Sequence, residues 1–418
     1  MANELLFDPS KAASELREQL ASDKRRLAFF IGAGTSMAVG IPGIVALTEK
    51  VKERLGKIEK KQLERICADL GLQSNVEDVL NRTRLYRELL GDDESKIHNG
   101  LTGKAAKELD AAICGAIRDI VSVDPPEGMA PQKTFAQWLN ASYSGRGWPV
   151  EIFTTNYDLL IEKAMEEAGV PYFDGFVGTV TPFFAPECVE ADNSKSYEAV
   201  CPPRAWTRLW KMHGSVNWHL REDERTGKKQ VTRLSGVTTQ QGEQIMIFPS
   251  REKYVDSRKL PFLAYQDRLR RFVSIGESVL FILGYSFSDE HLNEIILQGL
   301  RGNNRLAVNV LVYGEKKTVD DKERQVLPET VEQYGRVYRN MSIYGPDKAV
   351  IGGVVGSWTS PPDKKDGYEP LPYWSDDDNR FTLGDFRALA TYLERFIGIG
   401  SQGSPWIPAD IPIKETAN

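Results

Sequence analysis

Residues 27–36, Leu-Ala-Phe-Phe-Ile-Gly-Ala-Gly-Thr-Ser, constrain this chain more than any other stretch. The apolar run Leu27 to Ile31 leads straight into Gly32 and Gly34, with Thr35 and Ser36 behind them. An unbroken apolar run closed by glycine reads as a strand covered on both faces in a parallel sheet. Glycine lets backbone N–H groups approach an anion closely, and a helix starting there adds its positive end. Gly32, Ala33, Gly34, Thr35 and Ser36 are therefore candidate phosphate contacts. Taken alone, the same Gly-x-Gly serves equally as a tight strand-to-helix turn. Met37 stands where the dinucleotide fingerprint needs a third small residue, and no acidic residue closes a second strand nearby, which disfavours an ordinary Rossmann dehydrogenase. A phosphate loop is disfavoured too, because His98 replaces the first glycine ahead of Gly103-Lys104.

A chain of 418 residues is long enough for two or three domains with buried cores. Its net charge of −6, from 59 acidic and 53 basic residues spread along the length, argues against a broad nucleic-acid-binding face. Met1 to Lys24 has no signal-peptide core, and no run reaches the roughly 18 apolar residues that span a bilayer, so a cytoplasmic protein without membrane contact is expected. Cys67, Cys114, Cys188 and Cys201 form no Cys-x-x-Cys pair, which points to free thiols and to no metal site.

Along the chain, Asp8-Pro9 opens a short helix carrying Ala12, Leu16 and Leu20 on one face. Gly40 to Gly43 is a turn before a helix from Ala46, and residues at about 57–140 read as an inserted helical subdomain. Further strands are expected at 148–155, 207–212, 244–248, 277–283 and 306–313, the last closing the sheet, with helices at 159–168 and 289–300 and a hairpin tip at Thr226-Gly227. Strands and helices alternating in this way predict an α/β fold with a doubly wound parallel sheet, whose ligand crevice lies outside the strands' carboxyl ends. From about Ser342 the composition shifts to Gly352-Gly353, Pro361-Pro362, Pro370, Pro372 and exposed-looking aromatics. The expectation is one domain over 1–341 and an appended interaction or oligomerisation element over 342–418. Within the latter, Phe386, Leu389, Ala390 and Leu393 mark an amphipathic helix stopped by Gly398, suited equally to a partner and to covering the sheet.

Three polar clusters close predicted strands: Gly32 to Ser36, Thr155-Asn156-Tyr157-Asp158 and His213-Gly214-Ser215. A fourth is Gly284-Tyr285-Ser286. Their order and chemistry, over residues 25 to 315, resemble the sirtuin family. The resemblance implies a sirtuin-like Rossmann variant that binds NAD+: a glycine loop on the pyrophosphate, Asn156 and Asp158 around the nicotinamide ribose and carboxamide, His213 as the catalytic histidine, and Gly284 and Ser286 on the adenosine side. The sequence departs from sirtuin deacylases in lacking two Cys-x-x-Cys pairs for zinc, in Gly40-Ile41-Pro42-Gly43-Ile44-Val45 where they carry Gly-Ile-Pro-Asp-Phe-Arg, and in Thr155 for their glutamine. It is similar instead to zinc-ribbon-less bacterial SIR2-like proteins of antiphage defence, which hydrolyse NAD+ to nicotinamide and ADP-ribose. Such proteins work as oligomers or with an activator, in one branch a HerA-type ATPase.

Cleaving this bond needs no strong acid, because the pyridinium nitrogen leaves neutral. The site must position the ribose, shield an oxocarbenium-like charge and present water. Asn156 can orient a hydroxyl or the water, and His213 can take a proton. Read alone, Asn156 is better explained as a helix cap and His213 as a core histidine satisfied by backbone. Their joint appearance at strand ends favours catalysis. The alternatives are transfer to an acceptor other than water, as in deacylation or ADP-ribosylation, and a sensor that binds NAD+ or ADP-ribose without turnover.

Overall fold

The computed structural model describes residues 5–71, 74–91, 93–122, 124–125, 128–142, 146–190, 202–203, 205–222, 227, 229–234, 243–246, 261–319, 322–361 and 372–397. Cys201, Thr226, Phe248, Pro362, Pro370 and Gly398, each of which figures in the sequence expectations, lie outside them.

The expected parallel sheet is present. Arg26–Ile31 lies between Ser278–Leu283 and Glu151–Thr154, and all three run parallel. Outward on one side follow Thr207–Lys211 and Tyr172–Phe173, and on the other Leu306–Leu311 and Met341–Tyr344, again parallel. The chain leaves Arg26–Ile31 toward Glu151–Thr154, builds that side, then returns to the opposite side with Ser278–Leu283. Arg26–Ile31 is thus the strand at which the order reverses, the point where an open α/β sheet leaves a crevice at its carboxyl edge.

Alternation along this strand supplies both cores. Phe29 faces the helices Pro9–Ala21, Ala130–Ala141 and Phe386–Glu394, its ring 5.0 Å from that of Phe135 and edge-on to it. Phe30 faces the helices Phe262–Ser274 and Glu290–Gly302, among Phe272, Leu280 and Ile296. A third cluster fills the predicted helical insertion, where Lys57–Leu70, Val76–Leu90 and Gly103–Val121 pack with Ile44–Arg54 around Leu63, Leu80 and Ile117.

Two departures from the sequence reading stand out. Leu306–Leu311 does not close the sheet: Met341–Tyr344 adds to it, followed by the antiparallel strands Lys348–Ile351 and Val354–Trp358 and the edge strand Leu6–Phe7. Gly352-Gly353, read from composition as part of the appended element, is the two-residue turn of that hairpin, with φ of 61° and 87°. The aromatics of this region face inward. Trp358, Trp374, Phe381, Phe386 and Tyr392 are buried, and Phe381 stacks on Trp358 with centroids 4.8 Å apart. The amphipathic helix Phe386–Glu394 packs on Ala130–Ala141 and covers the sheet. The second departure is a smaller antiparallel sheet, in which Glu243–Met246, Gly214–Glu222, Lys229–Arg233, Phe183–Phe184 and Phe176–Val177 lie side by side. It takes up the strand expected at 244–248 and part of what reads as irregular between 172 and 204.

Candidate active site

The expected polar clusters come together because the strands carrying them are neighbours. Thr155 N–H donates to Ile31 O at 3.1 Å and Gly32 N–H to Leu283 O at 2.9 Å, so three strands end in register. Asn156 binds the first cluster from the side. Its Nδ2 donates to Gly32 O (3.1 Å), Thr35 Oγ1 (3.2 Å) and Ser36 Oγ (2.9 Å). Ser36 Oγ donates onward to Asp158 Oδ2 at 2.7 Å, and Thr35 Oγ1 to Gly32 O at 3.0 Å. Gly32 O only accepts, so it fixes the orientation of the amide. The oxygen, Asn156 Oδ1, is left buried and without a partner among the described residues.

The helix that follows the glycines is one turn, Gly34–Met37, not the longer helix that a dipole argument requires. Gly40, with φ of 87°, and the Pro42-Gly43 pair interrupt it before Ile44–Arg54. The glycines have a steric reason of their own. A Cβ on Gly32 would lie 2.5 Å from Gly284 O, and one on Gly34 2.7 Å from Gly284 Cα. Gly284 itself has φ of 61° and sits against Thr35 N. Two backbone loops therefore touch where side chains do not fit. The loop N–H groups are largely engaged internally, Gly34 N–H with Gly284 O, Thr35 N–H with Gly32 O and Ser36 N–H with Ala33 O. Ala33 is exposed. Gly34→Ala is accordingly expected to cost about 2 kcal/mol or more, read as a lower denaturation midpoint with an unchanged denaturant slope.

Asp158 braces this loop. Its Oδ1 accepts from Leu160 N–H at 3.0 Å while Oδ2 holds Ser36, so it, rather than Asn156, takes the first N–H of the helix Leu160–Glu167. The carbonyl of Asp158 accepts from the buried Lys211 ammonium, which also binds Glu162 Oε1 at 2.6 Å. Burial outweighs that partner and raises the Glu162 carboxyl. Gln132 Nε2 supports the loop from the helix Ala130–Ala141, donating to Thr35 O at 2.9 Å. Neither Lys211 nor Gln132 is legible from sequence pattern, because each acts on a backbone carbonyl far away in the chain.

His213 sits in the turn between Thr207–Lys211 and Gly214–Glu222. It is bound by a side chain, not by backbone: Nε2 lies 2.9 Å from Asp289 Oδ2. Asp289 Oδ1 accepts from His291 N–H (3.0 Å) and Leu292 N–H (3.1 Å), capping Glu290–Gly302. Burial alone would raise the Asp289 carboxyl, but the hydrogen bond to His213 and that from the Leu292 N–H hold it below the usual value. The sequence reading gives Asp289 only the start of a helix. Beyond His213, Ser215 Oγ, Asn217 Oδ1 and His219 Nε2, at alternate positions of one strand, are buried without partners among the described residues. In the fourth cluster, Gly284 meets the glycine loop, whereas the Ser286 hydroxyl is exposed and paired with Ser288 at 2.9 Å. Among the described residues, no group of three or more His, Cys, Asp and Glu side chains is placed to hold a metal.

Residues 150–336 match the family model described as a SIR2-like domain. Among solved structures, the chain is similar to a Sir2 enzyme studied for mechanism and regulation (12% identity over 73% of this chain and 86% of that one, TM-score 0.33). A Sir2 homolog in complex with NAD is similar at 15% identity over 71% of this chain and 81% of that one, with a TM-score of 0.30. No curated protein matches. The span that matches the SIR2-like model holds Asn156, His213 and Asp289 and begins after the glycine loop.

Proposed function

We propose that this protein cleaves the bond between nicotinamide and ribose in NAD+, with water as acceptor, releasing nicotinamide and ADP-ribose. The observation that carries the reading is Asn156. Three contacts fix its amide, leaving Oδ1 buried with no partner among the described residues, just past the end of the strand beside the one at which the strand order reverses. A ribose hydroxyl or a water supplies the missing donor, so the residues present fit the substrate. His213 takes the proton released when water adds, and the nicotinamide nitrogen leaves with the bonding electrons and needs no acid. The SIR2-like match supports an NAD-type ligand. The missing Cys-x-x-Cys pairs and the altered Gly40 to Val45 segment support water over a peptide.

A second reading is sirtuin-type transfer of the ADP-ribosyl group to an acyl-lysine, which shares the first bond cleavage and which the SIR2-like match supports as well. One assay separates the two. Purified protein is incubated with NAD+, with and without an acyl-lysine peptide, and free nicotinamide is followed. Equal release in both arms is expected. Release only with peptide moves the assignment to transfer, and no release in either arm removes the enzymatic reading. In the cell we place the activity in antiphage defence by NAD+ depletion, in an oligomer or with a HerA-type ATPase. Light scattering of the protein, alone and mixed with the product of the neighbouring gene, tests the assembly.

A further inference from the structure

We infer that Asp289 is a positioning residue for His213, holding the imidazole in the tautomer whose Nδ1 accepts the proton. The inference rests on the cleavage reading above. The two Asp289 oxygens have separate duties: Oδ1 takes the His291 and Leu292 N–H groups and Oδ2 takes His213 Nε2. A carboxylate only accepts, so the hydrogen bond puts the neutral ring's proton on Nε2 and leaves the lone pair on Nδ1. Nδ1 makes no hydrogen bond within the described residues. Asp289 cannot swing away, because its backbone carbonyl accepts from Asn293 N–H at 3.0 Å and Oδ1 anchors it to the helix start. In hydrolysis the water oxygen bonds to the ribose carbon as the carbon–nitrogen bond breaks toward nicotinamide. The water proton goes to His213 Nδ1, and the Nε2 proton stays shared with Asp289.

Asp289→Asn separates the two duties. Asparagine is also a preferred helix cap and keeps an oxygen for His291 and Leu292. Its amide nitrogen, now facing Nε2, can only donate, which moves the ring proton to Nδ1 and blocks the base. The full chain has four histidines, so ¹⁵N-labelled imidazole spectra are assignable with His213→Gln as reference. The expected result is a wild-type Nε2–H signature for His213 that becomes Nδ1–H in Asp289→Asn. Nicotinamide release should fall on the order of 10²–10⁴-fold with the thermal midpoint retained. Should that variant not fold, Asp289→Ser, which keeps a capping oxygen but lacks the reach to His213, carries the same expected fall. A flipped tautomer with full turnover overturns the inference, as does an Nδ1–H signature in the wild type. A wild type with the expected signature but no nicotinamide release overturns the cleavage reading, and with it the catalytic part of the inference, while leaving the Asp289–His213 contact established.

Discussion

Asn156→Ala is expected to lower nicotinamide release by about 10³-fold or more, a larger loss than removal of one transition-state hydrogen bond ordinarily brings. Two functions disappear together. Oδ1, the unpartnered acceptor, is lost, and so is Nδ2, which ties Gly32 O, Thr35 Oγ1 and Ser36 Oγ to the next strand. The structural share is bounded. Gly32 O keeps the Thr35 hydroxyl and Ser36 keeps Asp158, so the folded state should lose only about 1–3 kcal/mol. Turnover measured well below the variant's melting midpoint therefore reads the catalytic loss. Asn156→Asp is the sharper comparison. It keeps the shape and an acceptor but places a carboxylate against Gly32 O and near the charge of Asp158, so it should lose both stability and turnover. Full activity in the alanine variant would remove Asn156 from the chemistry and leave it as a loop brace.

Much of this arrangement is legible in the sequence because it depends on short-range pattern. Apolar runs at 27–31 and 279–283 closed by glycine announce central strands, and polar residues at their ends announce a crevice. Pattern fails where a contact joins distant residues through backbone. Gly32 and Gly34 read as a phosphate cradle, yet each also meets the backbone of Gly284 with no room for a Cβ, a need that no local motif encodes. Asp289 reads as the start of a helix because its Oδ1 caps one; the Oδ2 that reaches His213, 76 residues away in sequence, leaves no local trace. The C-terminal region misleads for a compositional reason. Glycines and prolines after Ser342 read as the start of an appended interaction element, but Gly352-Gly353 is a hairpin turn that carries the sheet to its edge.

The largest stability effect is expected at the opposite end of the same strands. Glu151 is 2% exposed, and four donors converge on its carboxylate. Arg268 Nε (2.7 Å) and Trp210 Nε1 (2.8 Å) reach Oε2, while Arg268 Nη2 (3.0 Å) and Arg26 Nη2 (3.4 Å) reach Oε1. Burial alone would raise this carboxyl, but the two guanidiniums hold it below its usual value. The contribution is therefore complete above that value and is lost as the pH falls through the lower, folded-state pKa. Glu151→Gln takes away the carboxylate charge that both arginines share and turns a donor toward donors, which should cost about 3–5 kcal/mol. Acid unfolding should correspondingly lose the part of its pH dependence due to Glu151. Nicotinamide release per folded molecule should stay at the wild-type level, since Glu151 begins the strand whose far end, Thr154, leads to Asn156. The ion cluster itself is not required for stability in principle, because well-packed apolar replacements of buried ion pairs are often neutral or better. Replacing Arg26, Glu151 and Arg268 together by methionine or leucine should recover most of what Glu151→Gln loses. A triple variant no more stable than Glu151→Gln would show that the stacking of Arg26 on Phe272, 4.7 Å from the ring centre, and of Arg268 on Trp210, at 5.9 Å, matters more than the ion pair.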